Sequence, residues 1–122
     1  YMDVSNSKNV EDVFLEIKNK FNKLDILVNN AGINGFENRQ DLLDDRIKKT
    51  NLQNKEIFEN NKITSHFDVT VNMTDNEWHE MISIHLNGTF FCTREALKIM
   101  NEQTQGCIIN MGSVLGTTGG PS

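Results

Sequence analysis

The chain has 122 residues, 37% hydrophobic and 24% charged, with a formal net charge of -5. This length suits one domain; no apolar run approaches the roughly 20 residues that span a bilayer; and scattered Lys and Arg in an acidic chain lack the positive footprint that nucleic-acid backbones require. Cys92 and Cys107 are too few and too far apart for a metal site, and both read as small buried hydrophobes in a reducing, cytoplasmic protein.

Residues 1–4 read as the tail of a strand, followed by a turn at Ser5, Asn6 and Ser7. Val10, Val13, Phe14, Ile17 and Phe21 then recur at helical spacing, with Glu11, Glu16, Lys18 and Lys20 on the other face, which predicts a surface helix covering a sheet. Leu24 and the run Ile26-Leu27-Val28 show no alternation, the pattern of a strand buried on both faces in a parallel sheet. Residues 36–71 are polar and read as an insertion with modest helical content, in which Leu42, Leu43, Ile47, Ile57 and Phe58 allow short amphipathic helices. The basic run Arg46-Ile47-Lys48-Lys49 follows Asp41, Asp44 and Asp45 and reads as one side of a mixed-charge solvated helix.

Thr74 with Glu77 three residues on is a capping box. It opens a long periodic segment, expected to run from about Asp75 to Met100 and to bury a face that includes Trp78, His85, Leu86, Phe90 and Leu97. Residues 107–111 read as a second buried strand. Gly112, Ser113, Gly116, Gly119, Gly120 and Pro121 then mark a loop built for close approach of backbone or ligand. His79-Glu80 does not extend to a zinc-binding HExxH, because residue 83 is Ser83. Strand, helix, strand, helix, strand is the pattern of an open α/β sheet. Such sheets bind ligands at the carboxyl ends of their strands, which here would bring together Asp3, residues 30–32 and residues 111–113.

Three segments resemble, in order and spacing, the short-chain dehydrogenase/reductase family. Leu24-Asp25-Ile26-Leu27-Val28-Asn29-Asn30-Ala31-Gly32 is close to the family's fourth-strand signature. Gly106-Cys107-Ile108-Ile109-Asn110-Met111-Gly112-Ser113 is similar to the fifth-strand segment that ends in the catalytic serine. His85-Leu86-Asn87-Gly88-Thr89-Phe90 lies in the pattern of the long interface helix, and Asp3-Val4 stands where the family has an acidic residue beside the adenine.

The resemblance implies a Rossmann-like doubly wound parallel sheet with helices on both faces. It implies an oxidoreductase that transfers hydride between NAD or NADP and a small carbonyl or alcohol substrate, possible examples being 3-oxoacyl and 3-hydroxyacyl thioesters. Asp3, Val4, Asn30, Ala31, Gly32, Ile33 and Met111 would line the cofactor, and Ser113 would polarise the substrate oxygen. His85 occupies the place of the family's helix asparagine, as in a subset similar to peroxisomal hydroxyacyl-coenzyme A dehydrogenases; it fits either a polar relay contact or a satisfied core histidine.

The resemblance makes residues 1–122 the central part of one dehydrogenase domain. The glycine-rich phosphate loop is expected upstream of Asp3, and the Tyr-x-x-x-Lys pair beyond Ser122. The polypeptide alone is therefore expected to be inactive, and the full-length protein to form homo-oligomers. The alternative expectation is a truncated, inactive paralogue that serves as a partner subunit through the Trp78 and Phe90-Phe91 region.

Overall fold

A computed structural model describes residues 1–118; Gly119, Gly120 and Pro121 of the expected glycine-rich loop lie outside the described residues. In chain order the elements are α1 (Ser7–Phe21), β1 (Ile26–Asn29), α2 (Gln40–Asn60), α3 (Val69–Asn72), α4 (Asp75–Ile82), a π-helical turn (Ser83–Asn87), α5 (Gly88–Glu102), β2 (Cys107–Asn110) and α6 (Leu115–Thr118).

The two strands pair in parallel, with Ile26 opposite Cys107 and Asn29 opposite Asn110. Side chains alternate between the two faces of a strand. Leu27 and Ile108 therefore point to one face, where they pack against a core of Val10 and Phe14 from α1 and Cys92, Ala96, Ile99 and Met100 from α5. Gln103 ties the end of α5 to the start of β1: its side chain accepts from the Leu24 N–H at 3.1 Å and donates to the Leu24 carbonyl at 2.6 Å.

The opposite sheet face holds Ile26, Val28, Cys107 and Ile109, all exposed. Two expectations change here. The strands are buried on one face rather than both, since α1 and α5 cover one side only, and Cys107 is exposed while Cys92 is buried. Burial raises the pKa of the Cys92 thiol and keeps it protonated.

Residues 1–4 form no strand. Their polar groups are spent locally: the Asp3 N–H donates to Asn9 Oδ1 at 2.7 Å and the Asp3 carbonyl accepts from Asn6 N–H. Asn6 is the N-cap of α1, its side chain accepting from the Asn9 N–H.

The polar stretch at 36–71 is more ordered than its composition suggested. Its main element, α2, is one helix of 21 residues with none buried. Polar side chains attach it to the returning segment, as Lys49 donates to the Phe67 carbonyl and Gln53 to the Ser65 carbonyl. Glu56 accepts from the backbone and hydroxyl groups of both Thr64 and Ser65. Those bonds hold its carboxyl down at about 2, with the Thr64 hydroxyl contributing most.

The long helix extends to Glu102 and is interrupted. The Thr74–Glu77 capping box opens α4, but the Gly88 N–H reaches back to the Ser83 carbonyl, five residues earlier. This π turn takes in extra chain and changes the angular phase of the helix beyond it. The expected buried face is displaced in part: Phe90 and Leu97 beyond the turn are exposed, as are Trp78, His85 and Leu86, whereas Met100 is buried as expected, together with Gly88, Cys92, Glu95, Ala96 and Ile99.

At Gly88 the neighbouring chain comes close: a Cβ there would lie 2.8 Å from the Val4 side chain. Glu95 is a buried carboxylate. Burial acts to raise its pKa, but hydrogen bonds from Lys98 and Arg94 outweigh it and leave the net shift downward. Among the described residues no helix is long and apolar enough to cross a membrane.

Candidate active-site crevice

The parallel pairing places two loops side by side at the carboxyl end of the sheet. The ladder continues one step past the strands, with the Met111 N–H donating to the Asn29 carbonyl at 3.0 Å. Residues 30–32 and 111–113 are thereby set on opposite sides of a crevice of about 370 Å³, with His85 and Thr89 of the long helix completing it.

At the head of the crevice Asn29 and Asn110 close off the apolar ladder. The Asn29 amide donates to Asn110 Oδ1 at 2.8 Å and to Thr93 Oγ1 at 3.0 Å. A leucine in place of Asn29 would leave both oxygens without this donor. The bonds orient the strand end and fix its position on α5.

His85 sits in the π turn and reaches across to the other loop. Its Nε2 lies 2.8 Å from the Ile33 carbonyl oxygen and 3.2 Å from the Ile33 nitrogen. One ring nitrogen serves one of these at a time, as donor to the oxygen or acceptor from the N–H. Gly32 is required by the same contact, since a Cβ there would lie 2.6 Å from His85 Cε1. The Thr89 hydroxyl donates to the His85 carbonyl at 2.7 Å, satisfying an acceptor in the π turn.

On the facing loop, the Ser113 hydroxyl oxygen accepts from the Leu115 N–H at 3.2 Å. That bond uses a lone pair and leaves the hydroxyl proton available to a neighbour. At Gly112 an added Cβ would meet nothing within 4 Å, so the crevice is open on that side.

The structure thus brings Asn30, Ala31, Gly32, His85, Met111 and Ser113 into one hollow. Ile33 touches it through His85 and lines the adjoining groove. Asp3 and Val4 lie elsewhere. One Asp3 carboxylate oxygen accepts from the backbone and hydroxyl of Ser5, and Val4 packs on the core beside Gly88. Asn29, Thr89 and Thr93 were not singled out from sequence. Asn29 carried a signal, as a polar residue closing an apolar strand, and Thr89 and Thr93 follow His85 at helical spacing on one face.

The sequence model of the family described as short chain dehydrogenase matches residues 1–56 and 51–122. The chain belongs to the short-chain dehydrogenase family. Among curated relatives, a 3beta-hydroxysteroid dehydrogenase of Mediterraneibacter gnavus is 34% identical over 98% of this chain and 32% of its own length. A 3-oxoacyl-(acyl-carrier-protein) reductase of Haemophilus influenzae is 30% identical over 98% of this chain and 37% of its own length. The solved structure "ElxO with NADP Bound" is 27% identical, with a TM-score of 0.67 over 98% of this chain and 36% of that one. The chain therefore spans about a third of the length of these relatives.

Proposed function

We propose that residues 1–122 form the central part of a doubly wound, Rossmann-like domain in an NAD- or NADP-dependent oxidoreductase acting on a carbonyl or alcohol. The observation that carries this is the crevice itself. Two strand ends, paired in register, set a small-residue loop opposite a serine whose proton is free to donate. The family match supports it, as do the NADP-bound structural relative and the named activities of the curated relatives.

The residues present fit a nicotinamide dinucleotide. Asn30, Ala31 and Gly32 are small and exposed, so a flat ring and its ribose can approach the backbone, and Gly112 leaves open space opposite. When bound, the dinucleotide donates or accepts the hydride. Asn30, Ala31, Gly32, Ile33 and Met111 would hold it, and Asp3 with Val4 would serve the adenine end.

Ser113 would donate its hydroxyl proton in a hydrogen bond to the substrate oxygen. Negative charge grows on that oxygen as a carbonyl is reduced, so a fixed donor favours the transition state over the ground state. His85 would position the Gly32–Ile33 backbone beside it through the Ile33 contact.

No Tyr-x-x-x-Lys stands within residues 1–122, where the one tyrosine is Tyr1. Without a proton donor of that kind, the 122-residue polypeptide by itself is proposed to be inactive. The test is hydride transfer by the natural protein that carries this sequence, followed through nicotinamide absorbance with a methyl ketone. Ser113→Ala should lower kcat by about 10²-fold or more, the scale of losing one oxyanion-type donor. A variant with unchanged kcat would remove Ser113 from the reaction.

A second reading draws on Trp78, Leu86, Phe90 and Leu97, which are exposed along α4, the π turn and α5. It makes this helix the surface on which two copies pair. It also accommodates an inactive paralogue acting as a partner subunit. Sedimentation of the natural protein with Phe90→Asp separates a pairing helix, which dissociates, from a merely exposed one.

A further inference from the structure

Beside the crevice lies a second hollow, a groove of about 440 Å³ between α2 and the α3–α4 segment. That is within the roughly 300–1,000 Å³ of small-molecule sites. We propose that this groove receives the non-reacting part of the substrate, an uncharged apolar chain or ring system, and so sets the substrate class of the enzyme. The inference rests on the oxidoreductase reading of the neighbouring crevice.

The first argument is continuity. Ile33 comes directly after Gly32, lines the groove, and is bonded to the His85 ring that lines the crevice. A substrate whose carbonyl faces Ser113 can extend past Ile33 into the groove without leaving the protein surface.

The second is the lining. Phe36, Leu42, Phe67, Val69, Met73 and Met81 supply its apolar walls, and Phe67 is itself buried. Methionine and phenylalanine accept varied apolar shapes, so the walls suit a hydrocarbon body more than a polar one.

The third is charge. Two of the three cations on the lining are ion-paired, Arg39 with Asp41 and Glu77 and Lys49 with Asp45, while the Arg46 guanidinium stacks 5.8 Å from the Phe36 ring centroid and 5.1 Å from that of Phe67. Glu37, Asp45, Asp68, Glu77 and Glu80 outnumber those three cations. Glu37 accepts from the Asn34 and Gly35 N–H groups, and these bonds hold its pKa down and keep it ionised. A carboxylate or phosphate on the bound tail would lose its water and enter a net negative field, with Arg46 alone to set against five carboxylates. An uncharged tail meets neither cost.

The experiment uses the full natural protein and three methyl ketones: acetone, a nine-carbon straight-chain ketone, and the same chain ending in a carboxylate. The uncharged nine-carbon ketone should exceed both others in kcat/KM by about tenfold or more, and Leu42→Trp or Met81→Trp, filling the groove from opposite walls, should cut its advantage over acetone severalfold. Melting midpoints establish that each variant is folded.

Equal kcat/KM for the charged and uncharged nine-carbon ketones, or an advantage over acetone that neither tryptophan changes, would overturn the groove assignment. Failure to turn over any ketone, acetone included, would instead overturn the oxidoreductase reading. In that event saturation-transfer NMR with the same two nine-carbon ketones still tests the groove. Contact with the uncharged one that is lost in Met81→Trp supports it, and its absence overturns it.

Discussion

At the residue scale the most informative position is His85. An asparagine offers a donor and an acceptor at once, and could satisfy both the N–H and the carbonyl of Ile33. The imidazole presents Nε2 alone to both, at 3.2 and 2.8 Å. His85→Ala should lower kcat by about tenfold or more through loss of loop placement, while His85→Asn should restore most of it; steady-state kinetics of the natural protein checks both. Equal losses in the two variants would mean that the imidazole acts in its own right. Gly88 makes a separate point about packing. Its missing side chain faces Val4 at 2.8 Å, so Gly88→Ala should destabilise by about 1 kcal/mol, an overpacking cost of about 1–3 kcal/mol partly offset by alanine's helix preference. Urea denaturation measures it.

At the scale of elements, α1, β1 and β2 were legible because apolar spacing records burial directly: Val10 and Phe14 recur at one helical turn, and Leu27 and Ile108 are the inward members of short apolar runs. The capping box at Thr74 was equally direct. The π turn was not legible, since Ser83, Ile84, His85, Leu86 and Asn87 have no composition that distinguishes five-residue bonding from four. Part of the face assigned beyond it slipped: Phe90 and Leu97, expected inside, are exposed, while Met100 is buried as expected. Helix α2 was underestimated for another reason. It is held by side chain to backbone bonds that have no periodic signature, above all those of Glu56. Because the folded carboxyl sits near 2 against an ordinary value of 4.5, this contribution is complete above pH 4.5 and is lost as pH falls through about 2. An NMR titration should show the Thr64 and Ser65 amides shifting with a midpoint near 2. A midpoint near 4.5 would mean that the Glu56 bonds do not persist in solution.

For the molecule as a whole, the strand ends meet at the crevice, where Asn30 to Gly32 and Met111 to Ser113 share one hollow. Asp3 does not join them, its carboxylate being engaged with Ser5. The exposed sheet face of Ile26, Val28 and Ile109 leads to one further expectation. The 122-residue polypeptide should bind an environment-sensitive apolar dye and show no hydride transfer, whereas the natural protein should transfer hydride with much weaker dye fluorescence. Equal fluorescence from the two would mean that this face stays open in the natural protein.

The attachment of α2 has a consequence for how such a protein can change over time. No residue of that helix is buried, and the core of α1, α5 and the strands draws nothing from it. The excursion is in effect a graft, clipped to itself by Lys49, Gln53 and Glu56 and joined to α4 by the Arg39–Glu77 ion pair. Were the groove to receive substrate as proposed, mutations along its α2 side would alter which molecules are accepted and leave the core of α1, α5 and the strands untouched. On the groove assignment proposed above, selectivity would rest mostly on residues outside the core of α1, α5 and the strands, and the two could diverge at different rates.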